Sequence, residues 1–372
     1  MHVSDDMASG GEEAHLLACR LLAFYDREGR VLPWRGERDL YRLWVSEIML
    51  QQTGVTTVLA YYPRFLERFP DVQSLAQATE EEVLILWQGL GYYQRARHLH
   101  QAARQVVTGP AGRLPEDEQG WLALPGIGAS TAAAILAIGR DQPLAILDGN
   151  VKRVLARLLA LPEPLSSRIA QERLWRMARG LTPVRRPGDY AQAIMDLGAT
   201  VCTRARPACH RCPWQDHCQA HHLGRATDFP VATRRPVRPR RRQLTVLIGN
   251  AADQWLFCRR PGRGLLAGLW EPPTFALTAE DPWPLTAMSV AQKLSRHFNR
   301  TTTLPVPLDP VEHDFTHFHL TLYPFVCHWH GEGGPDWEGC NHSRWVAPGA
   351  WHSLPCATLH RKVLARLAER QG

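Results

Sequence analysis

The sequence lacks the features that mark secreted and membrane proteins. Residues 1–13 are polar and partly acidic, without the apolar run or the basic leader of a signal peptide. No stretch of the chain is long and apolar enough to span a membrane. The nine cysteines are an odd number, which argues against a disulfide framework. Together these absences predict a cytoplasmic protein.

The chain has enough hydrophobic residues to form buried cores, and it has an excess of positive charge. It has 372 residues, of which 45% are hydrophobic, and this length favours two or three domains. The formal net charge of +7 favours a polyanionic partner.

The spacing of apolar residues divides the chain into two parts. Residues 12–220 show helical spacing without the alternation typical of strands, which predicts an all-α domain. Beyond Gln243 the pattern changes to short runs such as 244–248 and 255–258, which predict paired strands. Residues 243–372 are therefore predicted to form a separate α+β domain.

Between these parts, residues 221–242 combine arginine with proline. Because proline and like charge both disfavour packing, this segment is predicted to be an extended linker. A second hypothesis is that its arginines also follow the phosphates of a nucleic acid. These arginines are Arg234, Arg235, Arg238, Arg240, Arg241 and Arg242.

The segment 124–131 has the form of a tight hairpin between two helices. Gly126 and Gly128 leave the backbone free of Cβ atoms where the turn is tightest. Since the hairpin has no Lys or Arg, its backbone N–H groups at the helix start would hold a phosphate, and DNA would be bound without regard to sequence. Asp148 opens a later helix, where a carboxylate is favoured. The alternative is a simple helix pair in which Asp148 only caps a helix.

Four cysteines lie close together near the end of the helical part. Cys202, Cys209, Cys212 and Cys218 have the spacing C-x6-C-x2-C-x5-C. One close pair with two outlying cysteines favours a [4Fe–4S] cluster, whereas zinc usually takes two separated C-x2-4-C pairs. The cations between the ligands predict a surface that faces DNA; they are Arg204, Arg206, His210 and Arg211.

With the hairpin, Asp148 and the cysteine spacing taken together, the chain resembles the MutY-type adenine DNA glycosylases, which are relatives of endonuclease III. The resemblance implies an all-α helix-hairpin-helix glycosylase domain with an iron–sulfur loop, followed by a C-terminal Nudix-like α+β domain. It also implies a monomer that removes adenine from double-stranded DNA, where adenine is mispaired with 8-oxoguanine or guanine. Further motifs in family order are 32–35, 44–53, 89–93, 146–153 and 192–198.

The chemistry of base excision needs an acid for the leaving base and an anion for the sugar. Glu47 lies in a largely apolar helical context that would raise its pKa, and the resemblance implies that it protonates N7 of adenine. Asp148 fits the anion that stabilises an oxocarbenium-like sugar. Asn150 would orient Asp148 or the water. The alternative for Glu47 is a surface acid that pairs with a cation.

Ser130 distinguishes branches of the superfamily. In the endonuclease III branch the corresponding position carries a lysine that attacks the sugar as a Schiff-base nucleophile. Because serine has no amine, the chain is predicted to be a monofunctional glycosylase. Lys152 lies near Asp148 in sequence, and we interpret it as a phosphate-binding or surface lysine.

Other positions are assigned to DNA by the resemblance. Gln52 and Tyr92 occupy positions that fill or prise open the duplex around the lesion, since the base must leave the stack. Arg35 would contact the flipped adenine or a nearby phosphate. Gly54 stands where the family often has Gln, which removes a side chain from this region.

The C-terminal part resembles the Nudix-like domain of these enzymes. Residues 268–273 match part of its signature, but the acid-rich helix that holds Mg²⁺ in Nudix hydrolases is missing, so the domain is expected to recognise and not to hydrolyse. Phe315, Thr316 and His317 match the loop that reads 8-oxoguanine, with Thr316 in place of the usual Ser; its hydroxyl can still bond a base edge. The alternative is a strand turn whose histidines satisfy one another.

Three other functions remain open at the level of sequence. The nearest is a thymine-removing mismatch glycosylase, which would not be expected to carry the C-terminal domain. A bifunctional lyase is opposed by Ser130. A non-catalytic, DNA-bound iron–sulfur protein is opposed by the presence of both Glu47 and Asp148.

Overall fold

The computed structural model of the chain describes residues 11–110, 112–232, 237–298, 302–330 and 342–371. It divides into two compact units, of which the first contains Met1–Gln77 and Gln101–Arg235 and the second contains Ala78–His100 and Pro236–Gly372. Within the described residues, no helix has both the length and the apolarity that crossing a bilayer requires.

The described residues of the first unit are helical, as the spacing of its apolar residues predicts, and the second unit adds helices to a sheet. The helices in chain order are α1 (Gly11–Glu28), α2 (Leu40–Leu50), α3 (Val55–Arg68), α4 (Val72–Gln77), α5 (Glu80–Trp87), α6 (Gln94–Thr108), α7 (Glu118–Leu122), α8 (Ala129–Arg140), α9 (Gly149–Leu158), α10 (Arg168–Leu181), α11 (Pro187–Asp196), α12 (Gln219–His222), α13 (Ala287–Phe298) and α14 (Thr358–Gln371).

The core of the first unit is built around α8. This helix is rich in alanine and its residues from Ala132 to Gly139 are buried. Small side chains let neighbouring helices approach closely, and α8 packs against both α2 and α11. The same apolar cluster includes residues of α1, α9 and α10. This packing brings the start of α9 next to α2 and α11, where the cavity described below lies.

The second unit is an α+β domain with a mixed sheet. Its longest strands, β1 and β7, are parallel and pair from Arg240 with His319 to Gly249 with His328. Apolar residues alternate between two clusters, one containing Leu247 with residues of α14 and the other containing Val246 with residues of α13. The strands are β1 (Arg240–Gly249), β2 (Trp255–Arg259), β3 (Trp270–Glu271), β4 (Thr274–Ala276), β5 (Val306–Pro307), β6 (Val311–Asp314), β7 (His319–His328) and β8 (Ser343–Val346).

The predicted linker 221–242 differs from the structure at both ends, since its first residues end α12, Ala226–Asp228 form a short 3-10 helix before the buried Phe229, and its last residues belong to a strand. Arg240, Arg241 and Arg242 are strand residues of β1, because their backbone pairs with β7 and their side chains stay exposed. The prediction of an extended connection was therefore wrong for these three residues. Residues 233–236 of the segment, which include Arg234 and Arg235, lie outside the described residues.

Candidate active site

The first unit contains a cavity of about 880 Å³, at the place where α2, α8, α9 and α11 meet. It gathers six of the residues to which the sequence assigns a catalytic or DNA-binding role. The hairpin glycines Gly126 and Gly128 and the side chain of Lys152 are not part of its lining. The six lining residues are Arg35, Glu47, Gln52, Ser130, Asp148 and Asn150.

Glu47 lies on α2, which begins after an N-cap, Asp39, whose side chain accepts hydrogen bonds from the N–H groups of Tyr41 and Arg42. Residues on both sides of Glu47 are buried, so its carboxyl group is held in an apolar setting. Burial first, and the nearby charge of Asp148 second, raise the pKa of Glu47 to about 7, although Arg35 opposes the shift. Glu47 can therefore carry a proton near neutral pH.

Asp148 is the N-cap of α9. Its Oδ1 accepts a hydrogen bond of 2.7 Å from Val151 N–H, which holds the carboxylate in one orientation. Burial raises the pKa of Asp148 above its ordinary value, while the backbone N–H groups and the charges of Arg153 and Lys152 act in the opposite direction. Lys152 thus contributes to the charge around Asp148 from outside the cavity.

Ser130 is a structural acceptor for the segment that leads to Asp148. Its Oγ accepts a hydrogen bond of 3.0 Å from Leu147 N–H, the backbone group immediately before Asp148. This contact ties the first turn of α8 to the start of α9. The side chain that lines the cavity at this position is a hydroxyl and not an amine.

The hairpin before α8 has the geometry that the sequence predicts. Gly126 has φ +78°, a left-handed conformation that favours glycine. Gly128 is the N-cap of α8, and because it has no side chain, the first N–H groups of the helix are not capped by one. Gly126 and Gly128 are both exposed, so these donors can face an anion.

Asn150 belongs to a network centred on Arg153. One guanidinium nitrogen of Arg153 donates to Asn150 Oδ1 at 2.9 Å and to the Gly198 carbonyl at 2.7 Å, and Nε donates to the Cys202 carbonyl at 2.9 Å. A Cβ atom at Gly198 would lie 2.8 Å from the Cβ of Asn150, so only glycine permits this approach. The network connects the active-site helix α9 with the first cysteine.

Sequence reasoning missed the charged group that lies beneath Arg35. Asp196 is buried and accepts hydrogen bonds from the side chains of both Arg30 and Arg35. Arg35 is thereby held at the cavity wall as part of a buried ion pair. The motif 192–198 contains this acid, but its pattern does not indicate that the acid meets two arginines 166 and 161 residues away.

Gln52 follows α2 at the mouth of the cavity. Its φ is +58°, which is uncommon for a residue with a side chain and carries backbone strain. The preceding Gln51 is tied to α8 by a hydrogen bond of 3.3 Å from its Nε2 to Thr131 Oγ1. Gln52 is exposed, as a residue that enters DNA needs to be.

The four cysteines surround one small cavity in the first unit. No three His, Cys, Asp or Glu side chains in the described part of the chain stand close enough to hold a single metal ion. A cubane cluster separates its ligands more widely than a single ion does, because its own atoms lie between them. Burial raises the pKa of Cys212 to about 12, so thiolates here need a strong cationic partner. The donor set and the enclosed space therefore fit an iron–sulfur cluster.

Arg157 organises this loop from the buried side of α9. Its guanidinium donates to the carbonyls of Thr203, Arg204 and Phe229 at 2.7 to 2.9 Å. It also contacts Cys202 Sγ at 3.3 Å. The Cys218 thiol donates in turn to the Arg157 carbonyl at 3.4 Å.

In the second unit, the residues matched to lesion reading form a hairpin loop. Strands β6 and β7 pair up to Asp314 and His319, and Phe315 N–H closes the loop on the Phe318 carbonyl at 2.9 Å. Thr316 and His317 are exposed at its tip. The alternative in which histidines satisfy one another does not hold for His319, because its Nδ1–H donates to Asp314 at 3.0 Å.

Tyr92 contacts the same loop. Its hydroxyl lies 3.2 Å from Thr316 Oγ1, and its φ of +49° marks a strained turn. Arg95 holds that turn by donating to the Gly91 carbonyl at 3.1 Å, with its guanidinium 5.5 Å from the Tyr92 ring centroid. Arg95 was not predicted, because backbone carbonyls and ring faces as partners of a buried arginine leave no pattern in sequence.

The acid-free segment of the Nudix-like domain forms helix α13. Helix α13 has the sequence AMSVAQKLSRHF, so no carboxylate on it can hold Mg²⁺.

Both parts of the chain are similar to known protein families. Residues 45–179 match the model of the HhH-GPD superfamily base excision DNA repair proteins, and residues 244–366 match the Nudix domain. The chain is 36% identical to the adenine DNA glycosylase of Rattus norvegicus over 395 residues, covering 92% of this chain and 76% of the rat protein. It is also 36% identical to the human adenine DNA glycosylase, covering 92% and 72%.

Solved structures resemble the helical part. A thermostable thymine-DNA glycosylase is 26% identical, with a TM-score of 0.53 over 58% of this chain and 99% of that one. Endonuclease III in a non-covalent DNA complex has a TM-score of 0.50 at 18% identity, covering 57% of this chain and 97% of its own, which indicates the fold alone.

Proposed function

This chain belongs to the adenine DNA glycosylases of base excision repair, and we propose that it removes adenine paired with 8-oxoguanine or guanine by hydrolysis of the N-glycosidic bond. The observation that carries the mechanism is the pairing of Glu47 and Asp148 in one cavity, with the pKa of Glu47 raised to about 7. A protonated acid and a fixed carboxylate are the two groups that this reaction needs.

Glu47 is the general acid. It donates its proton to N7 of the extruded adenine, so that the C1′–N9 bond breaks with its electron pair going to N9 and adenine leaves as a neutral base. The carboxylate of Glu47 then takes a proton from the water that adds to C1′. Arg35, held by Asp196, lies on the cavity wall where it can donate to a ring nitrogen of the base.

Asp148 stabilises the positive sugar. Its orientation is held by Val151 N–H, and a fixed carboxylate lowers the energy of an oxocarbenium-like state without having to reorganise. Asn150 accepts from Arg153 through Oδ1, so its NH₂ group is the end that can orient the water or Asp148. We propose a monofunctional reaction, because Ser130 supplies a hydroxyl where a lyase needs an amine.

DNA is held and opened by residues of both units. The exposed N–H groups after Gly128 bind a phosphate, and Gln52 and Tyr92 offset the cost of extruding the base, which is a few kcal/mol. Phe315, Thr316 and His317 read 8-oxoguanine, with the Thr316 hydroxyl bonding the base edge. The protein acts as a cytoplasmic monomer at the nucleoid, where its substrate is found.

A [4Fe–4S] cluster held by Cys202, Cys209, Cys212 and Cys218 is the proposed cofactor. When bound, the cluster would link the four cysteines and hold the loop rigid, and it would take no part in breaking the N-glycosidic bond. The loop's arginines are thereby presented to the DNA backbone.

The test is a single-turnover assay on duplexes with adenine opposite 8-oxoguanine, adenine opposite guanine, and thymine opposite guanine. We expect adenine release from the first two, with strand breaks appearing only after hot alkali. Breaks without alkali would overturn the monofunctional assignment. Release of thymine in preference to adenine would overturn the substrate assignment, and binding without any release would leave only a DNA-binding role.

A further inference from the structure

Three consecutive arginines begin β1, at the edge of the loop that carries Thr316. Arg240 pairs with His319 and Arg241 with Leu320, and His319 N–H donates to the Pro239 carbonyl at 3.0 Å. Strand β7 starts directly after the loop 315–318, so the parallel register sets the arginine row next to it. The three arginines, Arg240, Arg241 and Arg242, are therefore residues of the sheet and not part of an extended linker.

Arg241 forms the end of an aromatic stack that leads into the loop. Its guanidinium carbon lies 4.2 Å from the ring centroid of Phe318, which stacks at 4.7 Å and 22° on Phe315. Stacking fixes the plane of the guanidinium while leaving its N–H groups to point outward for other partners. Thr316 is the next residue after Phe315, so a fixed positive charge lies two rings away from the residue proposed to read the lesion.

The surroundings leave Arg241 available. In the described part of the chain no carboxylate forms an ion pair with it, and its side chain is on an exposed residue. The two acids of the hairpin, Glu312 and Asp314, are both within ion-pair distance of His319. Arg238 lies near Asp314 and Lys362 near His313, so the loop is flanked by further cations.

We propose that Arg241 binds a backbone phosphate of the DNA strand that carries 8-oxoguanine, beside the nucleotide read by the Phe315–Thr316–His317 loop. This inference rests on the proposed function and adds to it a contact that positions the lesion strand. A planar guanidinium with free donors suits bidentate binding of a phosphate. The contact carries no base information itself but fixes the register in which the loop meets the base.

Arg242 provides a matched control. It makes an equivalent stack, with its guanidinium carbon 4.2 Å from the ring centroid of Trp283, but successive strand residues face opposite sides of the sheet. Loss of either arginine removes one charge and one cation–π contact. Only Arg241 is stacked on the rings that lead to the loop.

The experiment measures DNA affinity as a function of salt for the full-length wild type, Arg241→Ala, Arg241→Lys and Arg242→Ala, on a duplex with adenine opposite 8-oxoguanine. For Arg241→Ala we expect binding weakened about tenfold and a log–log salt slope smaller by about 0.9, the value for one phosphate. Arg241→Lys should keep the slope because it keeps the charge, and Arg242→Ala should match the wild type. Thermal unfolding of each variant separates loss of binding from loss of folding.

A second duplex series identifies the phosphate. Neutral methylphosphonates replace the phosphates that flank 8-oxoguanine, or those that flank adenine on the opposite strand. Methylphosphonates beside 8-oxoguanine should weaken DNA binding by the wild type and should not weaken binding by Arg241→Ala any further. Methylphosphonates beside adenine should weaken DNA binding by both proteins equally. Equal slopes for Arg241→Ala and Arg242→Ala would overturn the inference. A wild type that does not prefer the 8-oxoguanine duplex would instead overturn the proposed function, and the salt slopes would still test Arg241.

Discussion

At the scale of single residues, the two carboxylates of the cavity are placed in different settings. Glu47 lies in an apolar part of α2 and near another negative charge, so it holds its proton to about pH 7. Asp148 is also buried, but it receives a backbone hydrogen bond and lies near Arg153 and Lys152. Different surroundings thus separate an acid from a stabilising anion.

The pH dependence of the reaction follows from these settings. The rate of adenine release at saturating enzyme should fall as pH rises through about 7, because Glu47 then loses the proton that it must donate. On the acid side the rate should fall where Asp148 becomes protonated. Because the pKa of Asp148 is raised, this fall should occur at a higher pH than the ordinary pKa of an Asp would give. A single-turnover pH profile tests this, and an alkaline limb unchanged near pH 7 would contradict the role of Glu47.

Replacing Glu47 by Gln should abolish adenine release and raise stability at alkaline pH. The pKa of Glu47 is higher in the fold than its ordinary value of 4.5, so ionised Glu47 destabilises the fold, by an amount that grows above that value and is complete above about 7. The variant should therefore be more stable than the wild type by about 1–3 kcal/mol at pH 8.5, and by little at pH 5.

Thermal or urea unfolding at the two pH values measures this difference, with DNA binding as a check that the variant is folded. A gain in stability that is equal at both pH values would mean that burial of charge is not its cause.

At the scale of elements, the active site depends on how closely α9 approaches the turn after α11. That turn, Leu197–Val201, contains Gly198, whose carbonyl accepts from Arg153 and whose missing Cβ makes room for Asn150. The same arginine bonds the Cys202 carbonyl. One interface therefore sets both the position of Asn150 and the start of the cysteine loop.

Substitution of Gly198 by Ala should disturb this interface. The added Cβ would lie 2.8 Å from the Cβ of Asn150 and 3.2 Å from its carbonyl, which forces the helices apart and costs about 1–3 kcal/mol of stability. Adenine release should slow because Asn150 shifts relative to Asp148. Gly180→Ala in α10 is the control, since its Cβ would meet nothing within 4 Å and should stabilise by about 0.5–1 kcal/mol. Equal effects of the two changes would contradict the steric argument.

At the scale of the whole molecule, the proposed function draws on residues of both units. The first contains the cavity and the hairpin, and the second contains the loop with Thr316 and, on β1, Arg241. Most of the formal charge of +7 lies in the segment 221–242, which contains seven arginines and one aspartate, and this charge favours association with DNA before any base is read.

Loss of one cysteine ligand should affect DNA binding more than the chemistry of the cavity. Cys209→Ala is expected to lower the bound iron. It should also weaken binding to undamaged and damaged duplexes alike, because the cluster no longer holds in place the loop that contains Arg204 and Arg206. Iron content, visible absorbance and affinity measure this. Cys258→Ala, a buried cysteine of the second unit, is the control and should retain iron. Full iron content in Cys209→Ala would contradict the ligand assignment.

The sequence by itself determined the residue types and the local elements. Helical spacing, the Gly126–Gly128 hairpin, the N-cap at Asp148 and the absence of acids on α13 depend on neighbouring residues, so they could be predicted without a structure. The family, too, followed from short motifs in a fixed order. These features are short-range, and local backbone and side-chain preferences are sufficient to produce them.

Only the tertiary structure decided which groups meet and in what environment. The buried pairing of Asp196 with Arg30 and Arg35, the acceptor role of Ser130, the register that makes Arg241 part of a strand, and the size of the pKa shift of Glu47 each join segments far apart in the chain. Burial and Coulomb interactions depend on distance in space, and a sequence pattern contains no such distance.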